Sequence, residues 1–408
     1  MDFKYHYTEE QEEFRREVRA WVKANVPPEM RAPYGQFRDL PEHVYKFWRT
    51  KHMKLAEKGW FYPMYPKQYG GGGLTPEHEV ILAEEFERGR VRGSMGNSFA
   101  LPALLVWATE EQKQKFLVPL LKTEKVSFQA FTEPQSGSDL AGIQSRAVRD
   151  GDDWLITGQK IFISGQGEPD WLFGPILTDL EAPRHRNMGF FMIPYPSKGL
   201  ELRRQNLLNG YDQNFVFMDN VRVPGDHLIG GDHQGWQVTG SSLEIEHGGR
   251  GSPIQRDVYL EKLLAYTRQA TRLGKSLGSD EIHQQTAMEA YMDSHVSGLF
   301  ALRNYSMYQA RQELSYHGSQ NSLYGREYRI RNANRARDLM GMYSLVGETD
   351  PLAPVEGTQE QFQRGSLVGA HPGGAIEVQK VIVARRLGIS RTRERAAATP
   401  STAGVSGV

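Results

Sequence analysis

Two short stretches carry the residues best suited to hold a ligand. The first is Ala130-Phe-Thr-Glu-Pro-Gln-Ser-Gly-Ser-Asp-Leu-Ala-Gly142. Pro134 fixes φ and Gly137 permits left-handed backbone, so this turn can present N–H groups and Ser/Thr hydroxyls to something planar and polar. The second is Asp150-Gly-Asp-Asp-Trp-Leu-Ile-Thr-Gly-Gln-Lys-Ile-Phe-Ile-Ser164. It reads as a hairpin, with Asp150-Gly151 as the turn and Trp154, Ile156, Ile161 and Ile163 in β-rich runs flanking Thr157–Lys160. The same residues also suit the edge of a β-sandwich with ordinary turns, and composition alone does not separate the two readings. A third stretch, Gly70-Gly-Gly-Gly73, has the look of a phosphate loop. No Lys-Ser or Lys-Thr follows it, so a surface loop is expected there.

The chain around these stretches has 408 residues, enough for two or three domains with cores of their own. Lys plus Arg and Asp plus Glu both total 49, and this balance gives no reason to expect a nucleic-acid or acidic-membrane partner. There is no Cys, which excludes disulfides, thiolate chemistry and Cys-ligated metal centres, and no metal site is expected. The start, Met1-Asp-Phe-Lys-Tyr-His6, lacks an apolar signal region, and no window reaches membrane-spanning length. A soluble cytoplasmic protein is the expectation.

Three regions position the ligand-holding stretches. Residues 1–125 read as an all-helical domain. Thr8 suits an N-cap, Glu9, Glu10, Glu12 and Glu13 sit near the positive end of the helix dipole, and Pro27-Pro28 stop the helix. Pro41–Lys58, a helix opening at Thr75-Pro76-Glu77, Leu101–Trp107 and a segment capped by Thr109-Glu-Glu-Gln112 follow. Residues 126–234 carry short alternating or apolar runs with turn signals between them, which predicts a β-barrel or sandwich domain. Residues 235–391 predict a helical bundle, with helices over 236–246, 257–271, 281 to about 317, 328–346 and 359–387. Residues 392–408, rich in Ala, Ser, Thr and Gly, are expected to be a disordered tail. The fold class is therefore α+β multidomain.

The motifs resemble the acyl-CoA dehydrogenase family, and the likeness runs along nearly the whole chain. Thr132-Glu-Pro-Gln-Ser-Gly-Ser-Asp139 followed by Gly158-Gln-Lys-Ile-Phe-Ile-Ser164 resembles the family's flavin cradle. Gly59-Trp60 with Pro66-Lys-Gln-Tyr-Gly-Gly71, Thr109-Glu-Glu-Gln-Lys113, Asp219-Asn-Val-Arg-Val-Pro224 with Gly235-Trp236, and Gly373-Gly-Ala-Ile-Glu-Val-Gln379 with Ile382-Val-Ala-Arg385 resemble its other signatures. The resemblance implies the family layout, FAD as cofactor, and removal of an acyl-CoA α-hydrogen as a proton while the β-hydrogen leaves as hydride to flavin N5. Because a thioester α-proton is weakly acidic, such a site needs a carboxylate base in a dry pocket and donors preorganised on the carbonyl oxygen. Carried over, Gln129, Phe131, Thr132 and Ser138 contact the flavin or the acyl-CoA, Phe162 packs on the ring, and Ser164 stands near N5.

The position of the base decides the mechanism. Val355-Glu356-Gly357-Thr358 copies the Glu-Gly-Thr that carries the base in many members. In those, however, the Glu lies twelve residues before the Arg of the closing signature, and counting back from Arg385 lands on Gly373. Glu356 is therefore expected to be a loop or helix-start carboxylate, and Gly373 keeps only a backbone N–H for the thioester oxygen. A minority of members place the base on the first bundle helix, which here falls on Glu246 in Leu243-Glu-Ile-Glu-His247. Glu246 is the expected catalytic base, although a solvated helix carboxylate would look the same in sequence. Ser138, Glu244, His247 and Gly374 are candidates for acyl-CoA contact.

A further departure concerns the far half of the flavin. Relatives often carry Arg-x-x-Phe-Gly at the end of the second bundle helix, where this chain has Ala270 and Leu273 before Gly274, with Arg268 or Arg272 as a substitute in altered geometry. Glu377 is the remaining cofactor candidate. This erosion resembles subunits of α2β2 heterotetramers that share each flavin between unlike chains, so a homotetramer or such a heterotetramer is expected. An electron-transferring flavoprotein is the implied acceptor. The competing reading is a catalytically degenerate structural subunit.

Overall fold

A computed structural model describes residues 7–31, 40–96, 98–210, 212–246, 251–252, 256–310, 312–347 and 350–390, with the side chains of 244–246 excepted. The expected tail over 392–408 and His247 lie outside the described residues, as do the side chains of Glu244 and Glu246.

The helical first part comprises α1 (Glu9–Asn25), α2 (Glu42–Glu57), α3 (Pro76–Gly89), α4 (Ala100–Trp107), α5 (Glu110–Gln112) and α6 (Val118–Leu121). Local chemistry sets two of the helix starts. Thr8 Oγ1 accepts from the Gln11 N–H at 3.2 Å while Gln11 Oε1 accepts from the Thr8 N–H at 2.8 Å, so two first-turn donors are satisfied reciprocally. Thr109 and Gln112 repeat the device at α5. Gln112 then uses its amide group to donate to the carbonyls of Asp226 and Leu228, at 2.9 and 2.8 Å, and so ties the helical part to the sheet.

Among the described residues eight strands make one sheet in the order β6–β7–β3–β2–β4–β5–β8, with β1 beside β4. Their ranges are β1 Ser127–Gln129, β2 Arg146–Asp150, β3 Asp153–Ser164, β4 Trp171–Leu177, β5 Met188–Pro194, β6 Leu200–Asn206, β7 Asp212–Val223 and β8 Leu228–Ile229. Side chains alternate between faces along a strand. Accordingly Leu172, Ile176, Phe191 and Ile193 join a core with Val18, Trp48 and Leu55 of α1 and α2. Their neighbours Phe173, Phe190 and Met192 join a second core with Leu101, Leu104 and Phe116 of the α4–α6 region. The buried faces of β4 and β5 thus bind sheet and helices from both sides.

The hairpin over Asp150–Asp153 forms as expected, but its second arm is one continuous strand rather than two runs flanking a break. Between Lys160 and Ile163, β3 advances three residues against the two that separate Val216 from Asn214 on β7. This bulge inserts an extra residue and turns the following side chains.

The last part contains α7 (Gly235–Glu246), α8 (Val258–Gln269), α9 (Glu281–Gln309), α10 (His317–Met340), α11 (Thr358–Val368) and α12 (Ile376–Arg386). Leu260, Leu263, Ala290, Ala336 and Leu339 form a small core among α8, α9 and α10. Two expectations need correction here. The helix expected to reach about His317 ends at Gln309, and the one expected from Tyr328 begins at His317. The opening turns of α10 are mostly polar, so apolar periodicity was too thin to mark them. The single helix expected over 359–387 is two, parted at His371-Pro372-Gly373-Gly374. Gly373 and Gly374 have φ of 65° and 84°, which a right-handed helix cannot contain, and Pro372 has no N–H to give.

Among the described residues no helix is long and apolar enough to cross a membrane.

Candidate active site

A buried ion pair joins the two stretches that opened the sequence analysis. Glu133 and Lys160 are 2% and 0% exposed, and Lys160 Nζ lies 2.8 Å from Glu133 Oε1. The ammonium also donates to the carbonyls of Phe131 at 3.2 Å and Pro175 at 3.0 Å, so all three of its hydrogens have acceptors. Glu133 in turn accepts from the N–H of Gln144 at 2.6 Å and of Ser145 at 3.1 Å. Burial pushes the Glu133 carboxyl up, but attraction to Lys160 and these N–H donors outweigh it and hold the group below the usual glutamate value. Both residues were in the quoted motifs, yet neither was singled out, because a lysine within a strand ordinarily faces water.

The pair fixes the turn that precedes it and the strand that follows. Glu133 and Ser136 exchange backbone hydrogen bonds of 2.9 and 3.0 Å around Pro134-Gln135, and the Ile161 N–H donates to the Thr132 carbonyl at 2.8 Å. Thr132 is left half-buried and Ser138 exposed. Asp139, next along, pairs with Arg184 from the β4–β5 loop. Phe131 is different: its ring is buried against Phe173 and Phe190, so only its backbone is available to a ligand. Gln129 is half-buried on β1, next to β4.

Phe162 occupies the bulge of β3. It has a φ of 59° and is 48% exposed, an uncommon backbone for an aromatic residue and an uncommon place for its ring. Strain of this kind persists where surrounding structure enforces it, and here Lys160 and Ile163, both buried, anchor the bulge on either side. Ser164 lies two residues on. Its Oγ accepts from Gln213 Nε2 at 2.8 Å, and Gln213 is its cross-strand partner on β7. Gln213 escaped the sequence reading because only strand register brings it to Ser164.

Gly158 shows how tightly the strand is seated. A Cβ there would lie 2.1 Å from Ser145 Oγ and 2.6 Å from Ser145 Cα. Gly158→Ala should therefore cost about 1–3 kcal/mol through overpacking. Chemical denaturation would register this as a lower midpoint at unchanged slope, and an unchanged midpoint would refute the close approach.

The second group of residues lies in the helical bundle. Glu246 is the last residue of α7. Gly373 and Gly374 form the turn before α12, and Glu377 is exposed in the first turn of that helix. Arg326, on α10, donates to the carbonyls of Gly373 and Gly374 at 2.9 and 2.7 Å, a contact absent from the sequence reading. Arg272 lies at the tip after α8 and donates to the Leu339 carbonyl at 3.1 Å, at the end of α10, while Leu273 beside it is 98% exposed. Glu356 is exposed and pairs with Lys262 at 3.0 Å and Arg90 at 3.4 Å. The hydrogen bond from Lys262 holds its carboxyl below the usual range.

Three family models match successive parts of the chain: acyl-CoA dehydrogenase N-terminal domain over residues 8–124, middle domain over 129–221, and C-terminal domain over 233–388. The chain belongs to the acyl-CoA dehydrogenase family. It is similar to acyl-CoA dehydrogenase IpdE1 of Mycobacterium tuberculosis, with 28% identity over 93% of this chain and 98% of that one. A chain of the solved Tcur3481-Tcur3483 steroid ACAD matches with a TM-score of 0.82 and 26% identity, over 97% of this chain and 100% of the other. A chain of the ChsE4-ChsE5 complex from Mycobacterium tuberculosis shares the fold at a TM-score of 0.81 and 24% identity, over 95% and 100%.

As an acyl-CoA dehydrogenase the protein is an oxidoreductase with FAD as its cofactor. The Thr132–Ser164 group fits that cofactor's ring system. It offers an exposed aromatic face at Phe162, hydroxyls at Thr132, Ser138 and Ser164, and a backbone made rigid by the buried pair.

Proposed function

We propose that this acyl-CoA dehydrogenase oxidises a bulky acyl-CoA thioester to its trans-2-enoyl-CoA, in the cytoplasm, and passes the electrons to an electron-transferring flavoprotein. The observation that carries the reading is the cradle around Phe162, an exposed aromatic in left-handed backbone, locked by the Glu133–Lys160 pair. Gln129, Thr132, Ser138, Phe162 and Ser164, with the Phe131 backbone, hold FAD, which supplies the two-electron acceptor when bound. Arg272 and Glu377 serve its far half. Glu246 takes the α-proton, and the Gly373 N–H donates to the thioester oxygen, where negative charge develops. Ser138, Glu244, His247 and Gly374 line the acyl-CoA.

A glycine at 373 leaves room where relatives place a carboxylate side chain, which supports a bulky or branched acyl group. The likeness to a steroid ACAD supports a steroid side-chain thioester as the first substrate to try. Within the proposed division of the chain, residues 126–234 hold the flavin ring, 235–391 supplies the base, and 1–125 is a separate helical domain.

A second reading has one observation in its favour. Ala270 stands where relatives carry an arginine, and Arg272 is engaged with the Leu339 carbonyl of its own chain. That supports a heterotetramer in which unlike chains share each flavin, and in the extreme a subunit with a structural role only. An apolar row on α9, Met288, Met292, Val296 and Leu299, is exposed and suits contact with another subunit.

The test is spectroscopic. The purified chain, alone and co-expressed with a paralogous subunit, should show flavin absorbance that bleaches when an acyl-CoA is added without oxygen. Flavin that no acyl-CoA bleaches, in either preparation, would sink the dehydrogenase assignment. Flavin only in the co-expressed preparation would establish the heteromer.

A further inference from the structure

We propose that Arg326 is the positioning residue of the Gly373-Gly374 turn, aiming its N–H groups at the acyl thioester. The inference rests on the functional reading above, in which this turn receives the thioester oxygen. Its basis is the bonding of one guanidinium. Arg326 Nη1 donates to the Gly374 carbonyl at 2.7 Å and to the Ala370 carbonyl at 3.4 Å, while Nη2 donates to the Gly373 carbonyl at 2.9 Å. Its Nε donates to Ser322 Oγ at 3.1 Å, one helical turn earlier on α10, which fixes the fork itself. Gln379 Nε2, from α12, approaches the same two glycine carbonyls at 3.4 and 3.2 Å.

The geometry of a trans peptide turns these contacts into an orientation. Carbonyl and N–H point in opposite directions across each peptide plane. A guanidinium holding the carbonyls of Gly373 and Gly374 therefore forces the N–H groups of Gly374 and Ala375 to point away from α10. Two consecutive glycines with φ of 65° and 84° have no Cβ to restrict them, so unaided they would sample flipped planes at little cost. Arg326 removes that freedom. The Gly373 N–H lies in the preceding Pro372–Gly373 plane, so the donors that Arg326 orients are those of Gly374 and Ala375. Arginine suits this role because its planar fork spans two acceptors at once, which a lysine ammonium on a flexible stem does less well. Donors fixed before the reaction stabilise developing negative charge without reorganising. A turn that has lost the side chain usual at this position keeps only its backbone, so the aim of that backbone matters more.

Arg326→Gln and Arg326→Lys test this in the FAD-loaded protein, with an acyl-CoA that bleaches the parental flavin and an unreactive enoyl-CoA as the bound probe. The carbonyl stretch of the bound probe, by difference infrared spectroscopy, should be lowered in the parental protein and should return toward its value in water in both variants. Backbone amide exchange at Gly374 and Ala375 should quicken. The bleaching rate should fall on the order of 100-fold with little change in the half-saturating acyl-CoA concentration, as for loss of an oxyanion-hole donor. Flavin content and melting midpoint should stay near parental, at least for Arg326→Lys, which keeps the charge should Arg326→Gln fold poorly. A variant with parental carbonyl stretch and bleaching rate overturns the proposal and leaves Arg326 as a helix-end brace. A parental protein that does not perturb the carbonyl of any acyl-CoA instead overturns the functional reading, and the proposal falls with it.

Discussion

Glu246→Gln should abolish most of the bleaching of the flavin by acyl-CoA, slowing it by about 10²- to 10⁴-fold, the usual worth of a general base. The amide keeps the size and hydrogen-bonding capacity of the side chain but cannot accept the α-proton, so acyl-CoA should still bind and FAD should still be retained. The parallel variant Glu356→Gln separates the two carboxylates that the sequence offers. Glu356 is exposed and held by Lys262 and Arg90, so its replacement should leave the bleaching rate within about twofold, as a surface change does. Stopped-flow absorbance under anaerobic conditions measures both. Parental rates in Glu246→Gln together with a collapse in Glu356→Gln would transfer the base to the closing half of the chain.

Lys160→Met should be the most destabilising single substitution in the cradle. It leaves the buried carboxylate of Glu133 without its counter-charge, and breaking a buried pair in this way costs about 3–5 kcal/mol. Glu133→Gln should cost less, because the amide oxygen can still accept from the N–H groups of Gln144 and Ser145. Combining the two substitutions should recover part of the loss, since no isolated charge then remains buried. Acidity supplies an independent check. The Glu133 carboxyl is held below its unfolded value, so its contribution is present above the ordinary glutamate pKa and is lost as pH falls through the lowered folded value. The stability of the parental protein should therefore fall in that acid window more steeply than that of Glu133→Gln. Equal acid slopes, or a Lys160→Met protein as stable as the parent, would show that the pair does not lock the cradle. FAD content should track stability in this series, because Lys160 also holds the carbonyls of Phe131 and Pro175.

Much of this was legible in the chain because its causes are local. Thr8 and Thr109 start helices through bonds to a residue three positions on, so their signal lies within one turn. Pro and Gly mark turns wherever the chain goes next. The order of the motifs pointed to the acyl-CoA dehydrogenase layout, and the three family models confirm it.

Other features depend on residues far apart in sequence. Lys160 reads as an exposed strand residue until Glu133 and the carbonyls of Phe131 and Pro175 close over it. Apart from the family resemblance, Phe162 reads as one more apolar strand residue. Only the unequal advance of β3 and β7 turns it outward at positive φ. Arg326 is one of several arginines on α10, and nothing near it in sequence announces that its fork meets two glycine carbonyls some 47 residues later.

By itself, then, the sequence determined the capped helix starts at Thr8 and Thr109, the Asp150-Gly151 hairpin turn, the order of α and β regions and the family. Each follows from side-chain preferences within a few residues or from the spacing of motifs. The tertiary structure alone decided which charges are buried, where the exposed aromatic of the β3 bulge points and what holds the closing glycine turn. Those depend on burial and on hydrogen-bond acceptors contributed by distant segments, and a polar group's environment exists only once the chain has packed around it.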